Sequence, residues 1–297
     1  MMRRVFLSLL AIALAVLGAG WALTRPASVP EAELVGLTGD AAAGEMVFWA
    51  AGCASCHAAE DATGEARLIL SGGQRFASDF GTFVAPNISM DPEHGIGDWT
   101  LAQFVTALQE GISPEGRHYY PAFPYTAYRL ATRQDLADLW AFWQTLPASD
   151  VPNQSHELGV PFSIRRTVGV WNLLNLQDDF VLTGDLTEEQ TRGRYLAEAL
   201  AHCAECHTPR DALGGLDRAA WMAGAPNPSG TGTIPPLTPD RLRWSEAEIA
   251  AYLNDGFTPD FDSAGGSMVS VIHNMAMLPE ADRQAIAAYL KSLPPGN

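Results

Sequence analysis

Hydrophobic positions along this chain are unevenly spread. Residues Val5 to Leu23 (VFLSLLAIALAVLGAGWAL) form an apolar run broken only by Ser8 and glycines, and the basic MMRR precedes it. Such a run is long for the core of a signal peptide and sufficient for one membrane span. Arg3 and Arg4 should stay on the cytoplasmic side, which places everything after Arg25 outside. Trp21 sits where a small-x-small cleavage site would fall, which favours an uncleaved anchor over a cleaved signal. RRVFL only partly matches a twin-arginine signal. Under either reading, the bulk of the chain is exported.

Beyond that run the pattern has helical spacing, and it occurs twice. Gly44 to Gly52 leads into Cys53, and Gly193 to His202 leads into Cys203. The second helix opens with Thr187-x-x-Gln190, a capping-box pattern. DWTLAQFVTALQEGISP (98–114) parallels RWSEAEIAAYLNDGFTP (243–259). Both begin with Trp and a Thr or Ser cap, carry Gln103 or Glu248 three residues later, and stop at Gly111 or Gly256. ATRQDLADLWAFWQTLP (131–147) likewise parallels LPEADRQAIAAYLKSLP (278–294). Each half therefore reads helix, cysteine motif, long loop, helix, loop, helix. Period-two strand patterns are not evident. The predicted fold is all-α: two tandem helical domains, residues 39–148 and 185–297, after an N-terminal membrane helix or signal within residues 1–30. Residues 149–184 form a connector, predicted to pack across both domains through Phe162, Trp171 and Leu173 to Leu176. Arg165 and Arg166 there are either partners for the carboxylates of a bound group, since Arg suits carboxylates, or a plain surface pair.

The chain has 297 residues, enough for two cores, and a formal net charge of -16. That charge argues against a nucleic-acid partner, which requires a basic footprint. It suits solubility or docking to a basic patch.

All four cysteines fall in two motifs, Cys53-Ala-Ser-Cys56-His57 and Cys203-Ala-Glu-Cys206-His207. C-x-x-C-H is the attachment signature of c-type haem. Each pair of thiols can bond the two vinyl groups of one porphyrin, and the adjacent histidine then lies under the iron. A zinc site would need further Cys or His at ligand spacing. A redox dithiol would not need the histidine. Two motifs in an exported chain predict two covalently bound haem c groups, with His57 and His207 as axial ligands.

A sixth ligand usually comes from the loop between the last two helices. In the second half that loop reads GFTPDFDSAGGSMVSVIHNMAML, and Met268 is the natural thioether; Met275, Met277 and His273 compete. Carrying the register across from Gly256 to Gly111 places Phe123 where Met268 stands. RHYYPAFPYTAYRL (117–130) contains no methionine. The first haem is then left with His118, a candidate sixth ligand, with Met90 or His94 from the long loop, or with an open position. Trp140, Phe142 and Trp143 read as core against that haem.

CASCH and CAECHTPR, PNISMDPEHGIGDW, YPAFPY, and the closing GGSM with AIAAYLKSLP together resemble the periplasmic multi-haem cytochrome c subunits of bacterial dehydrogenases. Those subunits serve membrane alcohol, aldehyde and gluconate dehydrogenases and related molybdenum hydroxylases. The resemblance runs from about Gly39 to Pro294. It implies a di-haem electron carrier on the periplasmic side of a bacterial inner membrane, anchored if the N-terminal helix is retained and free in the periplasm if it is cleaved. Its electrons would come from a dehydrogenase or quinol donor and go to a terminal oxidase or a soluble carrier. Two departures qualify this. Many such subunits carry three haems rather than two, and many read PAMPY, with a methionine ligand where Phe123 stands. An open or labile first haem would instead suit a small redox enzyme, such as a di-haem peroxidase or a sulfur-compound dehydrogenase.

Overall fold

The computed structural model describes residues 2–228 and 232–296. Its first element, α1 (Met2–Leu23), is a 22-residue helix with exposed apolar side chains. At 1.5 Å per residue it extends about 33 Å, enough to cross a bilayer core. Asp40 then caps α2 (Ala41–Ala50), its side chain accepting from the Ala42 and Ala43 amides. Gly52 turns the chain into the one-turn helix α3 (Cys53–His57). A long loop follows, holding a hairpin of β1 (Arg75–Ser78) and β2 (Gly81–Val84). Next come α4 (Leu101–Glu110), α5 (Tyr125–Tyr128) and α6 (Arg133–Trp143). Both boxes foreseen at Thr100/Gln103 and Ser245/Glu248 are formed, and Gly111 and Gly256 end their helices in the left-handed conformation.

After α6 the chain adds β3 (Glu157–Leu158) to the hairpin and enters α7 (Arg166–Asn175). The second half repeats the first. Helix α8 (Glu188–Arg194) carries the Thr187/Gln190 capping box and continues through a wide π turn at Tyr195–Leu200. Then follow α9 (Ala204–His207), the short pair β4 (Ala225–Pro226) and β5 (Thr233–Ile234), α10 (Glu246–Asp255), α11 (Met268–Met275) and α12 (Glu280–Ser292).

The sequence reading needs two corrections. The architecture is largely helical but not all-α, since three antiparallel strands and a separate two-residue pair form in the long loops. These strands span two to four residues, too short for alternation to register as a pattern. They also depend on partners far away in sequence: Gly81 lies opposite Leu158. The connector packs across the domains only in part. It contains α7, whose Leu173 and Leu174 are exposed rather than packed across the domains. Phe162 does pack edge-on against Phe80, and the Trp171 indole donates to the Leu213 carbonyl.

Each core is built on a crossing of its first and last helices, α2 on α6 and α8 on α12. Glycine makes both crossings possible. A Cβ on Gly44 would lie 1.9 Å from the Asp138 carbonyl oxygen, and one on Gly193 would lie 1.7 Å from that of Ala285. Both obstacles are backbone, so neither can swing aside. Gly44→Ala or Gly193→Ala is therefore expected to destabilise its domain by about 3 kcal/mol or more. Denaturant unfolding of the holoprotein, followed by helical circular dichroism, measures this; a loss below 1 kcal/mol would show that the helices can separate without cost. Around the first crossing Phe48 meets Phe142 at 5.3 Å and Trp143 at 5.7 Å, and Phe104 meets Trp140 at 4.8 Å. The three aromatics of α6 are core, as their spacing implied.

At the corresponding place in the second half, a polar pair replaces Phe48 and Phe142. Glu198 is 3% exposed and accepts from the Tyr289 hydroxyl and the Val181 amide, each at 2.7 Å. Burial raises its carboxyl above the ordinary 4.5, against the lowering effect of those bonds. A group that binds its proton more tightly when folded adds stability that is complete below the unfolded value. That stability is lost as pH rises through the raised folded value. Acid titration of the second domain's unfolding should show this fall on the alkaline side of 4.5. Glu198→Gln, which removes the titrating group and keeps one of its two accepting oxygens, should flatten it. An unchanged pH profile in the variant would exclude Glu198 as its source.

Candidate haem-binding sites

Both cysteine motifs sit at the same kind of corner. The residue before each first cysteine is left-handed, Gly52 at φ 68° and His202 at φ 41°. Glycine adopts that conformation freely, while a histidine there is strained. Upstream of His202 the π turn adds one residue to the helical ring, with the Ala201 amide bonding back to Leu196. The two chains thus reach the same corner by different local routes.

The histidines of the two motifs are held alike. His57 Nδ1 lies 2.9 Å from the Pro86 carbonyl oxygen, and His207 Nδ1 lies 2.7 Å from that of Pro235. A carbonyl only accepts, so each Nδ1 carries the hydrogen and each Nε2 keeps its lone pair. Burial lowers the His57 imidazole to about 4 and lowers His207 as well, so both rings stay neutral. A neutral ring with a fixed orientation and a free Nε2 is what an axial iron ligand requires. The carbonyl of each histidine also accepts from a glycine amide, Gly72 or Gly224, at 2.8 Å. The thiols point the same way. Burial raises Cys53 and Cys203 to about 12, whereas redox-active dithiols are lowered. The residues therefore fit covalent haem.

The two loops that follow α4 and α10 superpose in hydrogen bonding, residue for residue, at the register inferred from the glycines. Tyr119 N bonds to Gly111 O as Ala264 N bonds to Gly256 O, and Phe123 N bonds to Tyr120 O as Met268 N bonds to Gly265 O. Met268 starts α11, partly buried against the core. Phe123 occupies its equivalent among Tyr119, Tyr125 and Tyr128, and the Tyr128 hydroxyl donates to the Ala51 carbonyl beside the first motif. Of the other donors, Met275 is core, while His273 and Met277 are exposed.

His118 is 5% exposed and corresponds to Ser263, five positions before Met268. Its Nε2 donates to the Thr24 carbonyl at 3.1 Å, which ties this loop to the end of α1, and its Nδ1 is buried without a partner among the described residues. The Arg165 and Arg166 side chains are also committed. Arg165 donates to the His118 carbonyl and stacks on Tyr120; Arg166 donates to the Trp21 carbonyl and stacks on Trp21. These contacts set both guanidinium groups at the end of α1 and the His118 loop.

The tertiary structure adds a relation between the halves that no local pattern along the chain encodes. The third residue of each motif bonds to the ligand-loop helix of the other domain. Ser55 Oγ accepts from Asn274 Nδ2 in α11 at 2.7 Å, and Glu205 Oε1 accepts from Thr126 Oγ1 in α5 at 2.7 Å. Arg67 extends the first contact, donating to Asn274 Oδ1 and to the His273 carbonyl. The His202 ring packs edge-on against Tyr128 at 5.7 Å. Cys56 is near enough to Cys206 for charge on one to raise the other's pKa. The two motifs therefore face each other. Sequence reasoning missed Pro86 and Pro235 as well, although a proline 29 or 28 residues after each histidine was there to be noticed.

Comparison with known proteins agrees with this duplication. Residues 41–147 and 190–294 each match the family model described as cytochrome c. The chain is 56% identical over 293 residues to a "Diheme cytochrome c-type" protein of Cereibacter sphaeroides, covering 99% of both chains. It is 36% identical over 258 residues to the fructose dehydrogenase cytochrome subunit of Gluconobacter japonicus, covering 84% of this chain and 52% of that one. With the cytochrome c subunit of the quinone alcohol dehydrogenase of Komagataeibacter europaeus it shares 33% identity over 260 residues, covering 82% of this chain and 53% of that one. The chain thus spans about half the length of these two subunits.

Proposed function

The chain belongs to the cytochrome c family and carries two covalently bound haem c groups, and from that premise we propose that it is an electron relay with one haem in each of the domains 39–148 and 185–297. Electrons would enter from a dehydrogenase or quinol donor and leave to an oxidase or a soluble carrier. The kinship with dehydrogenase cytochrome subunits supports the donor class. On this reading α1 anchors the protein to the periplasmic face of a bacterial inner membrane.

A bound haem c supplies a one-electron centre, and the protein sets its orientation and its surroundings. Cys53 with Cys56, and Cys203 with Cys206, would form the thioether links. His57 and His207 would present Nε2, their rings held by Pro86 and Pro235. Met268 would supply a thioether at the sixth position of the second site. At the first site Phe123 cannot ligate, and His118 is the proposed donor, through the Nδ1 that has no other partner. The observation that carries the relay reading is the facing of the two motifs, with Ser55 bonded to Asn274 and Glu205 to Thr126.

Carbon monoxide binding to the reduced protein, counted against total haem, tests this. No binding is expected, because each iron would keep two protein ligands. His118→Ala should then open about half the haem to carbon monoxide, and an unchanged variant would remove His118 from the coordination. Binding to about half the haem in the unaltered protein would favour the second reading, a small haem enzyme such as a peroxidase or a sulfur-compound dehydrogenase. Phe123 is the observation on its side.

A further inference from the structure

Residues 158–177 read LGVPFSIRRTVGVWNLLNLQ. The whole chain has 34 acidic residues and a net charge of -16, yet this stretch has no acid and two arginines. Within α7, Val170, Leu173 and Leu174 recur at i, i+3 and i+4, so they share one face of the helix. They are 52%, 55% and 61% exposed. Val160, Phe162 and Ile164, just upstream, are 81%, 42% and 50% exposed. Single exposed apolar side chains are ordinary, but six within fifteen residues, three of them on one helical face, mark an interaction surface.

The other side of α7 shows what that surface meets. Val168 and Gly169 are buried, and a Cβ on Gly169 would lie 2.8 Å from the Thr24 side chain. Arg166 donates to the Trp21 carbonyl at 2.5 Å, and its guanidinium lies 4.2 Å over the Trp21 ring. Helix α7 is thereby fastened to the last turn of α1, where a spanning helix leaves the bilayer. Trp21 suits that depth, having an apolar ring and a polar edge. A helix with an exposed apolar face and no acids, held at that depth by a spanning helix, is placed to lie in the headgroup boundary.

We propose that the exposed face of α7 formed by Val170, Leu173 and Leu174, with the exposed apolar side chains of the segment leading into it, rests in the surface of a phospholipid bilayer. Together, α1 and α7 then hold the domains at a fixed tilt instead of leaving them on a free tether. The inference depends on α1 being an anchor, and the experiment separates the two.

The test uses full-length holoprotein with Val170→Cys or Leu174→Cys, spin-labelled after haem attachment and reconstituted into vesicles of phosphatidylcholine and phosphatidylglycerol. Phe261→Cys, at a side chain 94% exposed in the second domain, is the reference. Flotation of the vesicles first reports whether the protein is bound. Relative accessibility of each label to oxygen over a water-soluble nickel complex is then measured by paramagnetic resonance. At positions 170 and 174 this ratio is expected to exceed that at 261 several-fold. If the protein floats but the three ratios agree, the face lies in water and the inference fails while the anchor stands. Labels shielded from both probes would mean that protein, such as a second copy of the chain, covers the face, which also overturns it. A protein that does not float loses the anchor reading, and this inference with it.

Discussion

Replacing Cys203 and Cys206 with alanine is expected to yield a protein with one haem instead of two, as counted by alkaline pyridine spectra and intact mass. Both thioether links of the second site depend on these thiols, and the chain has no other cysteine outside the first motif. The helix crossing at Gly193 involves neither cysteine, because α8 and α12 meet through backbone and through the Glu198, Tyr289 and Trp221 network. The first domain should load normally and keep its own spectrum. Loss of the haem face would loosen the seam where Asn274 reaches Ser55, so a small change in the remaining haem's potential is expected through that contact. Cys53 and Cys56 replacements should give the reciprocal protein. Retention of two haems in either would sink the assignment of the motifs.

The second large effect concerns the sixth ligands. Met268→Ala should abolish the near-infrared band that a thioether–iron bond gives to an oxidised c-type haem, and should lower one of the two potentials, since Met–His ligation raises potential. Phe123→Met should do the opposite, adding a second such band and raising the other potential. The reason is geometric. Phe123 and Met268 occupy the same place in loops whose hydrogen bonds agree from Gly111 and Gly256 onward. A methionine at 123 would start from the backbone position that Met268 already uses, among the rings of Tyr119, Tyr125 and Tyr128. Redox titration with spectra in the near infrared reads both variants. A Phe123→Met protein spectrally identical to the parent, and still so when His118→Ala is added to vacate the position, would show that a side chain at 123 does not reach the iron. The same titration on Met268→Ala, if unchanged, would move the second ligand to Met275.

Much of the fold was legible because its determinants are local. A capping box requires only residues three apart, which is why Thr100, Thr187 and Ser245 marked their helices correctly. A left-handed stop requires only glycine, at Gly111 and Gly256. The strands were not legible, since β3 exists only through pairing with β2 more than seventy residues away. Helix α7 was missed for a related reason. Its face is apolar on the outside and fixed on the inside by Trp21 and Thr24, so burial gives it no amphipathic pattern of the usual sense.

By itself, then, the sequence determined the duplication, the two C-x-x-C-H motifs and the missing methionine at position 123, because each is a matter of spacing along one strand of chain. Tertiary structure decided everything that depends on residues distant in sequence. It places Pro86 and Pro235 behind the two histidines, commits Arg165 and Arg166 to the end of α1, and sets Ser55 against Asn274 and Glu205 against Thr126. Those contacts arise when two similar domains pack motif to motif, and no periodicity within either half encodes which surfaces will meet.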